Sequence, residues 1–206
     1  EAVIGICKAE NKSNTLLGVI VQLGGQTPLK LSKKLNESGI KILGTSFQSI
    51  DLCEDRDRFL KLMNKLKINQ PKSDIVFNLK EAIVSAENIS YPIVIRPSYV
   101  LGGRAMRIVN NRNELENYFK SNFIVNNKSI LIDEFLIDAK EIDVDAISDG
   151  KKVIIAGILE HIEQAGVHSG DSACILPPQT LSKKILEEIQ VITERIAKEL
   201  QIIGFI

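Results

Sequence analysis

The chain lacks an excess of either charge: 26 Lys and Arg stand against 26 Asp and Glu. Whole-chain electrostatics therefore favour neither a nucleic acid nor an anionic membrane as partner, and charge has to be read locally. Cysteine is scarce. Cys7, Cys53 and Cys174 are odd in number, widely spaced and without a CxxC pair or a His at zinc spacing, which excludes a disulfide framework and the common zinc patterns. All three are expected to be small buried residues in a reducing, cytoplasmic setting. Long apolar runs are also missing. The longest, residues 16–23 and 153–159, fall far short of the roughly 20 residues a membrane helix needs. No basic-then-apolar leader precedes them, no internal repeat is visible and no tract is of low complexity. The first residue is Glu1 and the last, Ile206, falls inside an apolar run, so both ends are expected to be cuts within something longer.

What is present is an ordinary globular composition, 44% hydrophobic and 25% charged over 206 residues, which excludes disorder. A chain of this length buries roughly 70% of its unfolded surface and needs no staples. Residues 17–23 form a β-branched run closed by Gly24-Gly25. Thr27 is a candidate helix cap, Pro28 suits a first helical position, Leu31 and Leu35 share a helix face, and Gly39 fits a helix end. With a second strand at 40–43, residues 17–46 read as one βαβ unit, its diglycine at a strand's carboxyl end where parallel sheets often hold ligands. Phe59, Leu62, Met63 and Leu66 predict an amphipathic helix over 54–66. The charges that open it, Asp55 to Arg58, fit either a solvated first turn or a ligand site. Beyond a linker at 67–73 the pattern predicts strands at 75–77, 92–96, 105–109, 130–133, 141–147 and 153–159, and helices at 79–88, 114–123 and 181–200. Asp149-Gly150 suits a two-residue hairpin turn, which makes the later sheet antiparallel.

Three segments have the residue types of a chemical site. Arg96-Pro-Ser-Tyr-Val-Leu-Gly-Gly-Arg104 places a cation at a strand end and two glycines between guanidiniums. Such a loop can close over phosphate oxygens, or it can be a plain glycine hairpin. It is neither a Walker loop nor GxGxxG. Glu141-Ile-Asp-Val-Asp145 sets three carboxylates on one strand face, about 7 Å apart, with Ile142, Val144 and Ala146 on the other. Those carboxylates require water, a sugar hydroxyl or a cation from a neighbouring strand. Residues 160–174 gather Glu160, His161, Glu163, His168, Asp171 and two serines, with Gly166 and Gly170 to bend the chain. That density suits an active-site loop, although the His spacing matches no common metal pattern and no serine elbow is present.

Taken in order, these segments resemble the carbamoyl phosphate synthetase large-chain family of ATP-grasp enzymes. The resemblance is carried by Gly18-Val-Ile-Val-Gln22, Gly24-Gly-Gln-Thr-Pro-Leu-Lys-Leu31, Glu54-Asp-Arg56, Tyr91-Pro92, Arg96 through Met106, Glu141 through Ala146 and His161-Ile-Glu-Gln-Ala-Gly-Val-His-Ser-Gly-Asp-Ser172. It covers nearly the whole chain and points to the second, carbamate-phosphorylating half of that large chain. It implies an α/β fold: residues 1–50 end a Rossmann-like pre-ATP-grasp domain, and residues 51–206 form an ATP-grasp domain cut before its magnesium-binding strands.

The resemblance further implies that Arg56 and Arg96 contact nucleotide phosphates under a loop at Gly102 and Gly103. Glu134 and Leu136 would hold adenine and ribose, Glu141 would take the ribose hydroxyls, and Gly166, Val167, His168 and Ser169 would lie near the ribose and the transferred phosphate. Arg56, Arg96 and His168 are the catalytic candidates, with Arg96, Glu141 and His168 expected to line one cleft. The implied reaction is phosphorylation of carbamate by ATP with Mg²⁺, in pyrimidine and arginine pathways, with a glutaminase small subunit as partner. Magnesium ligands are expected beyond this chain, so the chain alone is expected to be inactive. A biotin carboxylase or another ATP-grasp ligase, and a non-catalytic ATP-sensing module, are the alternatives.

Overall fold

The computed structural model describes residues 1–97, 106–121, 129–167 and 169–206. It begins with helix α1 (Ala2–Glu10), strand β1 (Val19–Ile20), helix α2 (Gln26–Glu37) and strand β2 (Ile42–Leu43). β1 and β2 pair in parallel, with Val19 opposite Ile42, so residues 17–46 do form the predicted βαβ unit. The start of α2 differs from expectation. Gly25, at φ 62°, occupies the cap position with no side-chain cap, Thr27 lies inside the helix, and Pro28 is its third residue. Proline is tolerated there because first-turn N–H groups have no helical acceptor. Gly39 ends the helix at φ 71°, and Ile40 N donates back to Leu35 O at 3.0 Å, the left-handed closure that glycine permits.

Two helices are additions to the sequence pattern. α1 carries no strong apolar stripe. α3 (Phe47–Glu54) is capped by Ser46, whose Oγ accepts from Ser49 N. Asp55 breaks the helical path and caps α4 (Arg56–Lys65) by accepting from Arg58 N at 3.0 Å. The predicted amphipathic helix is therefore α4, and Leu62 and Met63 bury its apolar face with Ala197, Leu200 and Ile202.

The chain falls into two compact units, residues 69–139 and residues 1–68 with 140–206. The first unit contains β3 (Ser73–Val76), α5 (Leu79–Ile89), β4 (Ile93–Pro97), β5 (Arg107–Val109), α6 (Arg112–Ser121) and β6 (Ile130–Glu134). Its sheet runs β3-β6-β4-β5, with every described pair antiparallel. Asn78 caps α5 by accepting from Glu81 N. Ala82, Ala86, Leu115 and Tyr118 from the helices close over Ile93, Ile95, Ile130 and Ile132. Burial of each of these isoleucine side chains contributes about 1.5–3 kcal/mol. Alternation then sends Ser73, Asp133, Val94 and Arg96 to the sheet's other face.

The second unit adds β7 (Ile142–Asp149), β8 (Val153–His161), β9 (Cys174–Ile175), α7 (Lys183–Glu199) and β10 (Ile203–Phe205) to the N-terminal βαβ unit. Their sheet is antiparallel in the order β10-β7-β8-β9. Ser148 pairs with Val153 and Asp149 N donates to Lys152 O at 3.3 Å, so the β7–β8 turn has two residues, Gly150 and Lys151, one position later than expected. Asp149 Oδ1 accepts from Lys151 N at 2.8 Å and Lys152 N at 2.7 Å, a side-chain turn that supports the backbone one.

β10 has an unusual partner on its outer edge. Thr45 Oγ1 donates to Ile203 O and accepts from Ile203 N, both at 3.1 Å. Gln22 Nε2 donates to Phe205 O at 3.1 Å and to Thr45 Oγ1 at 3.2 Å. The carboxyl ends of β1 and β2, expected as a place for ligands, thus hold this chain's own strand. Gly44, at φ 89°, allows the approach, since a Cβ there would lie 3.0 Å from Ile203 O.

Thr45 is 2% exposed, so Thr45→Val keeps its shape and leaves two strand groups without partners. The expected loss is about 1–3 kcal/mol, read as a lower urea midpoint at unchanged slope. An unchanged midpoint would show that water replaces Thr45 at no cost.

Candidate functional site

In unit 69–139 the central strand β6 carries the charge. Asp133 is 7% exposed between Ile132 and Glu134, and a carboxylate this buried requires donors. Ser73 Oγ donates to its Oδ1 at 2.5 Å. Arg96 Nε donates to its Oδ2 at 2.6 Å, and Arg96 Nη2 reaches the same oxygen. β6 thereby fixes the guanidinium by its Nε side. Glu134, one residue on, accepts from Lys72 N at 3.1 Å through Oε2, while its own N–H donates to Lys72 O. Leu136 follows with its side chain exposed. The Arg96 and Glu134 candidates therefore sit on adjacent paired strands. Gly102 and Gly103 lie outside the described residues.

In the other unit, alternation along β7 holds as expected: Asp143 and Asp145 are exposed and Ala146 is buried. Two of the three carboxylates on the polar face have partners from the chain. Glu141 Oε2 accepts from Gly166 N at 3.0 Å, so the strand and the 162–167 loop meet at a candidate residue from each. Gly166 has φ 100°, which suits a residue aiming its N–H at a carboxylate. Val167 beside it is exposed. Asp143 Oδ2 lies 2.9 Å from His161 Nε2, and the His161 side chain is almost wholly buried. His161 is thus a structural partner of β7. His168 lies outside the described residues, as does the Ser169 side chain, although the Ser169–Asp171 backbone forms one 3-10 turn.

The charge cluster at the start of α4 is mostly used up locally. Asp55 caps the helix, Asp57 pairs with Lys61 at 2.6 Å and Arg58 with Asp51 at 2.5 Å. These exposed pairs stabilise little. The Arg56 side chain lies outside what the structure describes. Cys53 and Cys174 are exposed, and of the three cysteines only Cys7 is buried as expected. β9 is a two-residue edge strand, which leaves Cys174 uncovered. Desolvation, then the Asp143, Glu163 and Glu141 carboxylates, raise the Cys174 thiol above its ordinary pKa, which disfavours the thiolate a nucleophile needs.

Sequence reasoning missed Asp133; its signal was an acid, followed by Glu134, in a strand otherwise apolar. Glu160, counted among the polar residues of the 160–174 segment, has a structural role that sequence reasoning did not foresee. It is 4% exposed, and its oxygens accept from Gln179 N at 2.9 Å, Thr180 N at 3.0 Å, the Thr180 hydroxyl and Lys140 Nζ at 3.2 Å. It fastens the segment before α7 to β8, and nothing in the local pattern marks residues 179 and 180 as its donors.

Two family models match the chain. Residues 55–205 match the family described as carbamoyl-phosphate synthase L chain, ATP binding domain. Residues 1–52 match the carbamoyl phosphate synthase preATP-grasp domain. The carbamoyl phosphate synthase large chain of Neisseria meningitidis serogroup B is 51% identical over 205 residues, which are 99% of this chain and 19% of that one. That of Campylobacter jejuni is 54% identical over 190 residues, 92% of this chain and 17% of that one. The chain thus spans about a fifth of the length of these curated relatives. Among solved structures, D-alanyl-alanine synthetase A from Vibrio cholerae aligns with a TM-score of 0.68 at 15% identity, over 85% of this chain and 56% of that one. Biotin carboxylase from Campylobacter jejuni, in a β,γ-ATP complex, aligns at 0.69 and 19% identity, over 86% of this chain and 41% of that one. At these identities the likeness is one of fold.

The donors on Glu160 also make stability depend on pH. The Thr180 hydroxyl and N–H first, then Lys140 and Gln179 N–H, hold its carboxyl down at about 2, from an ordinary 4.5. A lowered folded pKa adds stability that is fully present above about 4.5 and is lost as pH falls toward about 2. Glu160→Gln is expected to be less stable than the parent at neutral pH, with the gap between their urea midpoints narrowing through that window. A gap independent of pH would mean that the charge of Glu160 is immaterial.

Proposed function

Because this chain belongs to the carbamoyl-phosphate synthase L-chain ATP-binding family, with a preATP-grasp segment ahead of it, we propose that it is the part of such a large chain that phosphorylates carbamate. The observation that carries the reading is 51% identity across 99% of the chain. In this reading residues 1–50 end the Rossmann-like domain and residues 51–206 form the ATP-grasp domain. The reaction is an in-line transfer. A carbamate oxygen forms a bond to the γ-phosphorus of ATP while the β,γ-bridging P–O bond breaks, giving carbamoyl phosphate and ADP. No covalent nucleophile is needed, in keeping with the raised Cys174 thiol.

The residues take roles by charge. Arg56, Arg96 and the Gly102–Gly103 loop bind the phosphates, and the guanidiniums meet the negative charge spread over the moving phosphoryl group. Glu134 and the Leu136 segment hold adenine and ribose. The free oxygen of Glu141 takes a ribose hydroxyl while its other oxygen keeps Gly166 in place. Val167, His168 and Ser169 complete the side near the transferred phosphate. Among the described residues no three His, Cys, Asp or Glu stand close enough together to hold a metal ion. The same reading places the parent protein in the cytoplasm, in pyrimidine and arginine synthesis, with a glutaminase subunit supplying nitrogen.

The test is product formation by the full-length large chain that contains this segment, given ATP and carbamate. Carbamoyl phosphate is expected from the full-length protein and not from the 206-residue chain alone. Arg96→Ala in the full-length protein should lower kcat/KM for ATP about 10- to 100-fold, the range of one lost charge-assisted contact. ATP turnover dependent on a biotin carrier would point to a carboxylase, and ATP binding without any turnover to a sensing module. Either result would overturn the carbamate reading.

A further inference from the structure

We infer that Asp133 is the positioning residue of the phosphate-binding arginine, and that Ser73 completes the mount. The inference rests on the proposed role of Arg96 and says how the chain prepares that residue. Three adjacent strands converge on one carboxylate. Ser73 on β3 stands opposite Asp133 on β6, and Arg96 on β4 stands one pair further along the same sheet face. Such diagonal neighbours are within reach of a long side chain. The contacts are directional: Ser73 Oγ takes Oδ1 at 2.5 Å, and Arg96 Nε takes Oδ2 at 2.6 Å with Nη2 on the same oxygen.

The result is asymmetric. The Asp133 side chain is 10% exposed and that of Arg96 is 40% exposed, so the carboxylate belongs to the sheet and the guanidinium projects from it. With the Nε side in use, the Nη1 edge has no partner among the described residues and remains for an anion. A planar fork held by one edge meets phosphate with the other in a single orientation. A free arginine would have to lose the freedom of its rotatable stem on binding, and the mount removes that loss in advance. Asp133 also offsets part of the positive charge. The gain therefore lies in orientation, which separates this role from that of a simple counterion.

The orientation argument distinguishes two substitutions. Asp133→Asn retains an oxygen for Arg96 Nε and an amide for Ser73, so the mount survives without its charge. Asp133→Ala removes the mount. Binding of ADP to the full-length large chain that contains this segment is measured by calorimetry for the parent, Asp133→Ala, Asp133→Asn, Arg96→Ala and the double variant Arg96→Ala with Asp133→Ala. Circular dichroism melts are recorded alongside. Asp133→Ala is expected to weaken ADP binding about tenfold and Asp133→Asn by less than about threefold, while Asp133→Ala costs nothing further once Arg96 is gone.

Equal loss in the Asn and Ala variants would overturn the inference. So would a loss on Asp133→Ala that persists in the Arg96→Ala background, because that loss would come from the sheet and not from the arginine. If Asp133→Ala fails to fold, the Asn variant and its double with Arg96→Ala decide by the same comparison, with tight binding expected only where Arg96 is present. If the parent fails to bind ADP, or Arg96→Ala binds as the parent does, the underlying nucleotide role of Arg96 falls and the mount falls with it.

Discussion

A carboxylate removed from water has to be given donors, and in this chain that requirement ties separate segments together at two places. Asp133 draws in Ser73 and Arg96 from the strands on either side of it. Glu160 draws the 179–180 segment and Lys140 onto β8. Each of these carboxylates fixes where a neighbouring segment can run. Glu141, only half-buried, holds Gly166 at the edge of β7 in a similar way. Apolar packing alone allows slippage. The charged anchors define which residues face one another.

Two of these anchors involve residues proposed to meet the nucleotide, and they differ in kind. At Arg96 the anchor occupies the inner edge of the guanidinium and leaves the outer edge without a partner among the described residues. At Glu141 it occupies one carboxylate oxygen and leaves the other. In both, the chain uses half of a two-sided group for its own fold and offers the remaining half. Arginine and carboxylate are the side chains whose geometry allows this division. The ordering of the group is then part of folding and not of binding.

Most of the strand and helix pattern from residue 75 onward was legible because periodicity there is strong, although the short strands β9 and β10 were not. The apolar residues of β4 and β6 match their burial, whereas on α7 the stripe is half-buried at Ile189, Ile192 and Ile196 and Ile185 is exposed. α1 and α3 were not legible, since both are short helices without a wide apolar face, and α3 depends on a serine cap that looks like any loop serine. The β7–β8 turn was placed one residue early, because Asp149 stays in the ladder opposite Lys152 while its side chain takes two N–H groups of the turn. Of the candidate site, the cation at the end of β4 and the acids on β7 could be read from type and spacing. Asp133 could not, because its meaning depends on which strands lie beside β6. A strand order of β3-β6-β4-β5 places residue 133 between residues 73 and 96, and no local window contains all three.

The clamp of Gln22 and Thr45 on β10 joins residues 158 and 183 positions apart, and this separation affects the order of folding. Contacts across such spans come with a large loss of chain entropy and form late. During synthesis the βαβ segment emerges before β10, and the polar groups at its strand ends remain in water until residues 203–205 leave the ribosome. Two segments made far apart in time therefore become native together. Until they meet, neither the parallel pair nor the outer strand of the antiparallel sheet has its final set of hydrogen bonds.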